Sequence, residues 1–146
     1  MARGDVTVFN EAKAKMVAGE WALTDDFWVG LITNSVVPTA DTATPTYDDF
    51  TEVTASGNYV AGGKVLDSLA DLVTVVSGTM KFGDVLTTTS WSQDASNPTD
   101  AAYAVVYNYT DAGKDAVAFM DLAGPINMTA GDLTITWHAD GIFSIT

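Results

Sequence analysis

The closing segment Asp132–Thr146, DLTITWHADGIFSIT, is the stretch whose reading decides the fold class. Leu133, Ile135 and Trp137 alternate with Thr134, Thr136 and His138, the period of a strand with one face buried. Asp140-Gly141 supplies a turn, and Ile142, Phe143 and Ile145 carry a second apolar run. Alternation around an Asp-Gly predicts a terminal β-hairpin, with Trp137 as its core anchor. A strand this close to the last residue also predicts a terminus tied into a sheet.

Working outward, FWVGLIT at Phe27–Thr33 reads as a central strand, apolar on both faces. Further strands are expected at Phe50–Thr54, Lys64–Leu66, Val73–Val76, Met80–Phe82, Val85–Trp91, Ala102–Tyr109 and Ala116–Leu122. Ser92–Asp100 and Thr110–Asp115 are turn-forming by composition, and Val36–Asp49 is a Pro- and Thr-rich surface excursion between two core segments. One helix is expected, Glu11–Ala18, capped by Asn10, stopped by Gly19 and supported by a Glu11–Lys15 pair, with Ala12 and Met16 on one face. No other helix and no internal repeat is evident. The chain is therefore expected to be mainly β: residues 1–146 as one antiparallel β-sandwich, jelly-roll or Ig-like, with a short N-terminal arm and helix over about 1–20. A closed barrel is the alternative.

Composition supports the class. Hydrophobic residues make up 47% and charged ones 17%, and Thr, Val, Ala, Asp and Gly outnumber the Glu, Lys, Arg and Gln of helical surfaces. Six Lys and Arg stand against nineteen Asp and Glu, a formal charge of −13, which repels phosphate backbones and anionic lipid. Neither nucleic acid nor a membrane is an expected partner. With no cysteine, disulfides and thiolate chemistry are excluded. The opening MARGDVTVFNEAKAK lacks the apolar run of a signal peptide, so export by the ordinary secretory route is not expected.

Catalytic signals are weak. His138 is the sole histidine, and a lone His after a core Trp is ordinarily a structural or surface residue. No G-x-S-x-G elbow accompanies the serines. The three glutamates, Glu11, Glu20 and Glu52, show no pairing pattern, and Asp25-Asp26 and Asp48-Asp49 stand where aspartate shapes turns. Asp94, Asn97 and Asp100 share one loop and Asp111 and Asp115 another, but neither matches a calcium-binding consensus. The sequons at Asn108 and Asn127 lack an export context. No enzyme, metal site or cofactor is expected. Trp21, Trp28, Trp91, Trp137, Tyr103, Tyr107 and Tyr109 could form a sugar-binding face if exposed, and a packing core if not. Half of the basic residues, Arg3, Lys13 and Lys15, cluster near the N-terminus, the candidate surface for meeting neighbouring chains.

Four segments, FWVGLIT (Phe27–Thr33), GNYVAGGKVL (Gly57–Leu66), AAYAVVYN (Ala102–Asn108) and DLTITWHADGIF (Asp132–Phe143), together with the opening DVTVFNEAKAKMVAGE (Asp5–Glu20), resemble a family of small virion structural proteins of tailed bacteriophages. The resemblance implies a non-enzymatic capsid decoration or cement protein on the outer capsid surface. Its implied partners are the major capsid protein and copies of itself, with a trimer expected. A tail, neck or fibre component is the nearest alternative, and a carbohydrate-binding module is the alternative from another class.

Overall fold

A computed structural model describes residues 5–146. In chain order the elements are β1 (Val6–Val8), α1 (Asn10–Ala18), β2 (Asp26–Ile32), β3 (Lys64–Ser68), α2 (Leu69–Leu72), β4 (Val73–Val76), β5 (Thr79–Phe82), β6 (Thr88–Trp91), β7 (Ala101–Asn108), β8 (Ala116–Ile126), β9 (Leu133–Thr136) and β10 (Phe143–Ile145). The chain is mainly β, and every strand pair is antiparallel. A five-stranded sheet, β1-β8-β7-β2-β3, shares one hydrophobic core with a three-stranded sheet, β10-β5-β4, and a two-stranded one, β6-β9, an arrangement consistent with a β-sandwich. Among the described residues no helix is long and apolar enough to cross a membrane.

The centre of the large sheet is apolar on both faces, and each face has its own cover. Phe27, Val29 and Leu31 on β2 look toward the smaller sheets, where the Phe27 ring meets Phe82 of β5 edge-on at 5.3 Å. Trp28, Gly30 and Ile32 alternate onto the opposite face, beside Tyr107 and Val105 of β7. That face is covered by the loop read from sequence as a surface excursion. Its end, a 3₁₀ turn at Tyr47–Asp49, lays the Tyr47 ring parallel to Tyr107 at 4.1 Å, and Phe50 closes over Phe9. Tyr47 fits because residue 30 has no side chain: a Cβ there would lie 2.1 Å from the Tyr47 hydroxyl. The loop's backbone is paired as well, with Tyr47 N–H donating to the Lys114 carbonyl and Ala116 N–H to that of Pro45.

Where β3 leaves β2, the exposed ladder is taken over by Leu31 N–H donating to the Tyr59 hydroxyl at 2.9 Å and Val53 N–H donating to the Leu31 carbonyl. The expected strand at Phe50–Thr54 is thus reduced to one bridge, Ile32 to Glu52. Burial raises the pKa of Tyr47, Tyr59 and Tyr107 well above the ordinary phenol value, with the Glu52 carboxylate adding to the shift at all three.

The terminal hairpin is a correction. β9 pairs with β6, and β10 pairs with β5, so the two runs join different sheets. A two-residue Asp-Gly hairpin needs positive φ at both positions, and only Gly141, at 86°, has it. Gly141 turns the chain against the Phe82 carbonyl, which a Cβ would approach to 2.5 Å. Ile142 N–H then donates to that carbonyl and starts the new pairing. The hairpin with the required geometry is β4–β5, where Ser77 and Gly78 take φ of 51° and 82°. Trp137 is the expected core anchor, 6% exposed, with its indole N–H donating to the Thr89 hydroxyl at 3.0 Å. The last strand is tied into a sheet, as expected.

Helix α1 forms at the expected place and ends at Gly19. Its N-cap is Phe9 rather than Asn10, whose side-chain amide instead donates to Asp41. Glu11 does not meet Lys15; its carboxylate accepts from Thr44 N–H at 3.0 Å. β1 and the single turn α2 are additions to the expected elements.

Candidate functional site

The three cations singled out in the sequence have different fates. Arg3 lies outside the described residues. Lys15 is held within the fold: its ammonium donates to Asp115 at 2.7 Å, and the other Asp115 oxygen accepts the Trp21 indole N–H at 3.0 Å. Partial burial disfavours its charge, but the hydrogen bond and charge of Asp115 outweigh this and hold the Lys15 pKa above the usual lysine value. This bond pins α1 to the end of β8. Lys13 is exposed, with its ammonium 5.9 Å from the centroid of the Phe143 ring. Among the described lysines, only Lys13 and Lys64 meet no carboxylate. Lys64 instead donates to the Ser90 carbonyl and lies over Trp91.

Lys13 stands at the rim of an apolar face that register explains. In the three-stranded sheet, Val73, Phe82 and Phe143 are cross-strand partners on one face, and Val75, Met80 and Ile145 form the next row on that same face. The first row enters the core: Phe82 is fully buried and stacks on Phe143 at 5.1 Å. The second row runs past it. Val75 is 72% exposed, while Met80 and Ile145 are half-buried. Between this row and the end of α1 lies a groove of about 390 Å³, lined by Met16, Val17, Trp21, Leu23, Met80 and Ile145 among others. Val17 and Leu23 on its wall are 73% and 65% exposed. Contiguous apolar surface of this kind marks an interaction site more often than scattered exposed residues do.

The other sequence candidates resolve into local structure. His138 has a side chain 75% exposed and stands 3.6 Å from Asp140. Asp140 itself is held below the usual carboxylate range by its hydrogen bond and ion pair with Lys81 at 2.9 Å. Asp25 accepts from Ala22 N–H and the Asn108 side chain, and Asp49 accepts from Thr46 N–H, so both shape turns. In the acidic loops Asp94 and Asp111 each accept a backbone N–H two residues on. Asn97 is buried, bonding to Asn58 N–H and to the Ser92 and Met128 carbonyls. Among the described residues no three Asp, Glu or His side chains are grouped to hold a metal.

Of the aromatics, Trp21, Trp91, Trp137 and Tyr107 are core, whereas Trp28 is half-buried and Tyr109 is 45% exposed. The groove residues Val17, Leu23 and Ile145, and the neighbouring Val75, were missed as a surface by sequence reasoning. Their apolar character is visible in the sequence, but their lack of cover is not. Comparison with known proteins supplies no relative: no family model matches the chain, no curated protein matches its sequence and no solved structure matches its fold.

Proposed function

We propose that this chain is a non-enzymatic structural protein of a tailed-phage virion, a capsid decoration protein that seats on the outer shell and bridges neighbouring major capsid subunits. The observation that carries the reading is the partly exposed apolar row of β4, β5 and β10, with the exposed Val17 and Leu23 of the groove beside it. Leaving Val17, Leu23 and Val75 in water forfeits roughly 25 cal/mol per Å² that a seated neighbour would recover. Lys13 at the rim offers that neighbour a cation that meets no carboxylate among the described residues.

Two further points support the reading. The phage-like segments at 27–33 and 102–108 fall on the central strands β2 and β7, so the resemblance lies in the frame of the fold. A formal charge of −13 suits an outer surface and not the lining of a DNA-filled shell. In this reading the protein acts as an oligomer, with a trimer at local threefold positions, and many weak contacts gain strength through multivalency. Antibody labelling of intact particles tests it. Label spread over the shell is the expected result. Label confined to the tail would make the chain a tail, neck or fibre component and overturn the proposal.

A further inference from the structure

A second surface, remote in character from the apolar groove, has the chemistry of a ligand site. A cavity of about 240 Å³ opens where the Tyr47–Asp49 turn, the loop before β3 and the β7–β8 turn meet, and its walls include Asp48, Glu52, Gly62, Tyr107, Tyr109 and Lys114. Glu52 is fixed there through one oxygen. Its Oε1 accepts from the Tyr59 hydroxyl at 2.7 Å and from Gly62 N–H at 2.6 Å. Its Oε2 receives no hydrogen bond from the described residues, so an oriented acceptor remains available in the cavity wall.

The facing wall is aromatic. Tyr109 is 45% exposed and is backed by the Trp28 indole, parallel to it with centroids 4.0 Å apart and an interplanar angle of 14°. Trp28 is in turn close to Gly62, where a Cβ would sit 3.6 Å from the indole. The stack is therefore braced from behind, with one face of the Tyr109 ring against Trp28 and the residue still 45% exposed. At the rim the Lys114 ammonium donates to Asp48 Oδ1 at 3.0 Å, which places a donor and an acceptor side by side.

A braced aromatic ring, a carboxylate oriented by its neighbours and a paired ammonium are what a pyranose requires. The ring takes its C–H face, and the polar groups take its hydroxyls. Two carboxylates against one ammonium leave the cavity wall net negative within an acidic chain, which disfavours uronic acids and phosphorylated sugars. The volume lies below the ~300 Å³ at which pockets for drug-sized ligands begin, the scale of a single sugar ring. The geometry points to a binding site for one neutral hexose unit of an oligosaccharide, centred on Tyr109 and Glu52. This inference is independent of where the protein sits on a particle.

The test is calorimetric titration of the purified full chain with neutral oligosaccharides built from glucose, galactose and mannose, repeated on Tyr109→Ala and Glu52→Gln. The Gln side chain keeps an oxygen for Tyr59 and Gly62 while replacing the available carboxylate oxygen. At least one neutral series is expected to bind the wild-type chain. Tyr109→Ala should weaken that binding tenfold or more, and Glu52→Gln about fivefold, with both variants retaining the wild-type circular-dichroism spectrum. Absence of binding by every neutral series, or binding that Tyr109→Ala leaves unchanged, overturns the inference. Because antibody labelling reads position and titration reads affinity, either proposal can fail while the other stands.

Discussion

The large sheet and the β10-β5-β4 sheet are made from the same kind of strand, yet only the centre of the first is covered on both sides. β7, AAYAVVYN, is apolar at nearly every position, and each of its faces meets another layer of the chain. On β4, VTVV, the residues nearest the core are half-buried and the last two are exposed. Side-chain chemistry does not separate the two regions. The difference is that the Val36–Asp49 excursion and the residue after it supply Tyr47 and Phe50 to one, whereas the Val75–Met80–Ile145 row of the other is only partly covered, with Val75 72% exposed and Met80 and Ile145 half-buried. A β-fold can thus be covered by its own chain in one region and leave apolar side chains in water in another.

The sharpest way to break the contrast is at Phe82, where the two regions meet. Its ring contacts Phe27 at 5.3 Å and Phe143 at 5.1 Å, so Phe82→Ala should cost about 3–5 kcal/mol in urea unfolding. A loss below about 1 kcal/mol would mean that the sheets do not share a core.

The covered face can be probed by pH. Tyr47, Tyr59 and Tyr107 have raised pKa values when folded, so they stay protonated above their ordinary value of 10.0 while the unfolded chain releases those protons. Their contribution is therefore complete below pH 10 and declines above it, by roughly 1.4 kcal/mol per tyrosine for each further pH unit. Denaturant midpoints should be flat from pH 8 to 9.5 and fall steeply toward 11. A midpoint that falls no more steeply than the exposed tyrosines require would place these rings in water.

The smallest expected effect is at Val75, on the uncovered side. Val75→Thr should move the stability of the isolated chain by less than about 0.5 kcal/mol, while weakening its retention on particles in a sedimentation assay. A large loss of stability would show that the residue is buried after all.

Most of the frame was legible in the sequence. FWVGLIT, AAYAVVYN and the apolar half of β8 declare themselves because a strand buried on both faces needs no particular partner to be recognised. The helix over 11–18 was legible from its composition and Gly19. The closing segment was read correctly as strands and wrongly as a hairpin, because Asp-Gly signals a turn without stating whether both residues adopt positive φ. The less conspicuous Ser77-Gly78 makes that hairpin instead. β1 was hidden because its three residues alternate too briefly beside the helix.

The candidate surfaces were less legible. Glu52, Tyr59 and Gly62 are near in sequence, but Tyr107, Tyr109 and Lys114 reach them only through the β7–β8 pairing and its turn. Lys15 reads in the sequence as a partner of Glu11 and a candidate assembly contact, because Asp115, the carboxylate it meets, is a hundred residues away.

The placement of β10 has a consequence for how the molecule is made. Phe143 pairs with Phe82, so the three-stranded sheet cannot close until the ribosome has delivered the chain through Ile145. Until then the β4–β5 hairpin stands with Phe82 and Met80 open to solvent, a segment prone to sticking to the wrong neighbour. β10 supplies Phe143 to the aromatic row and Ile145 to the groove. A copy that ended before Phe143 would therefore lack the third strand of that sheet and the Ile145 wall of the groove.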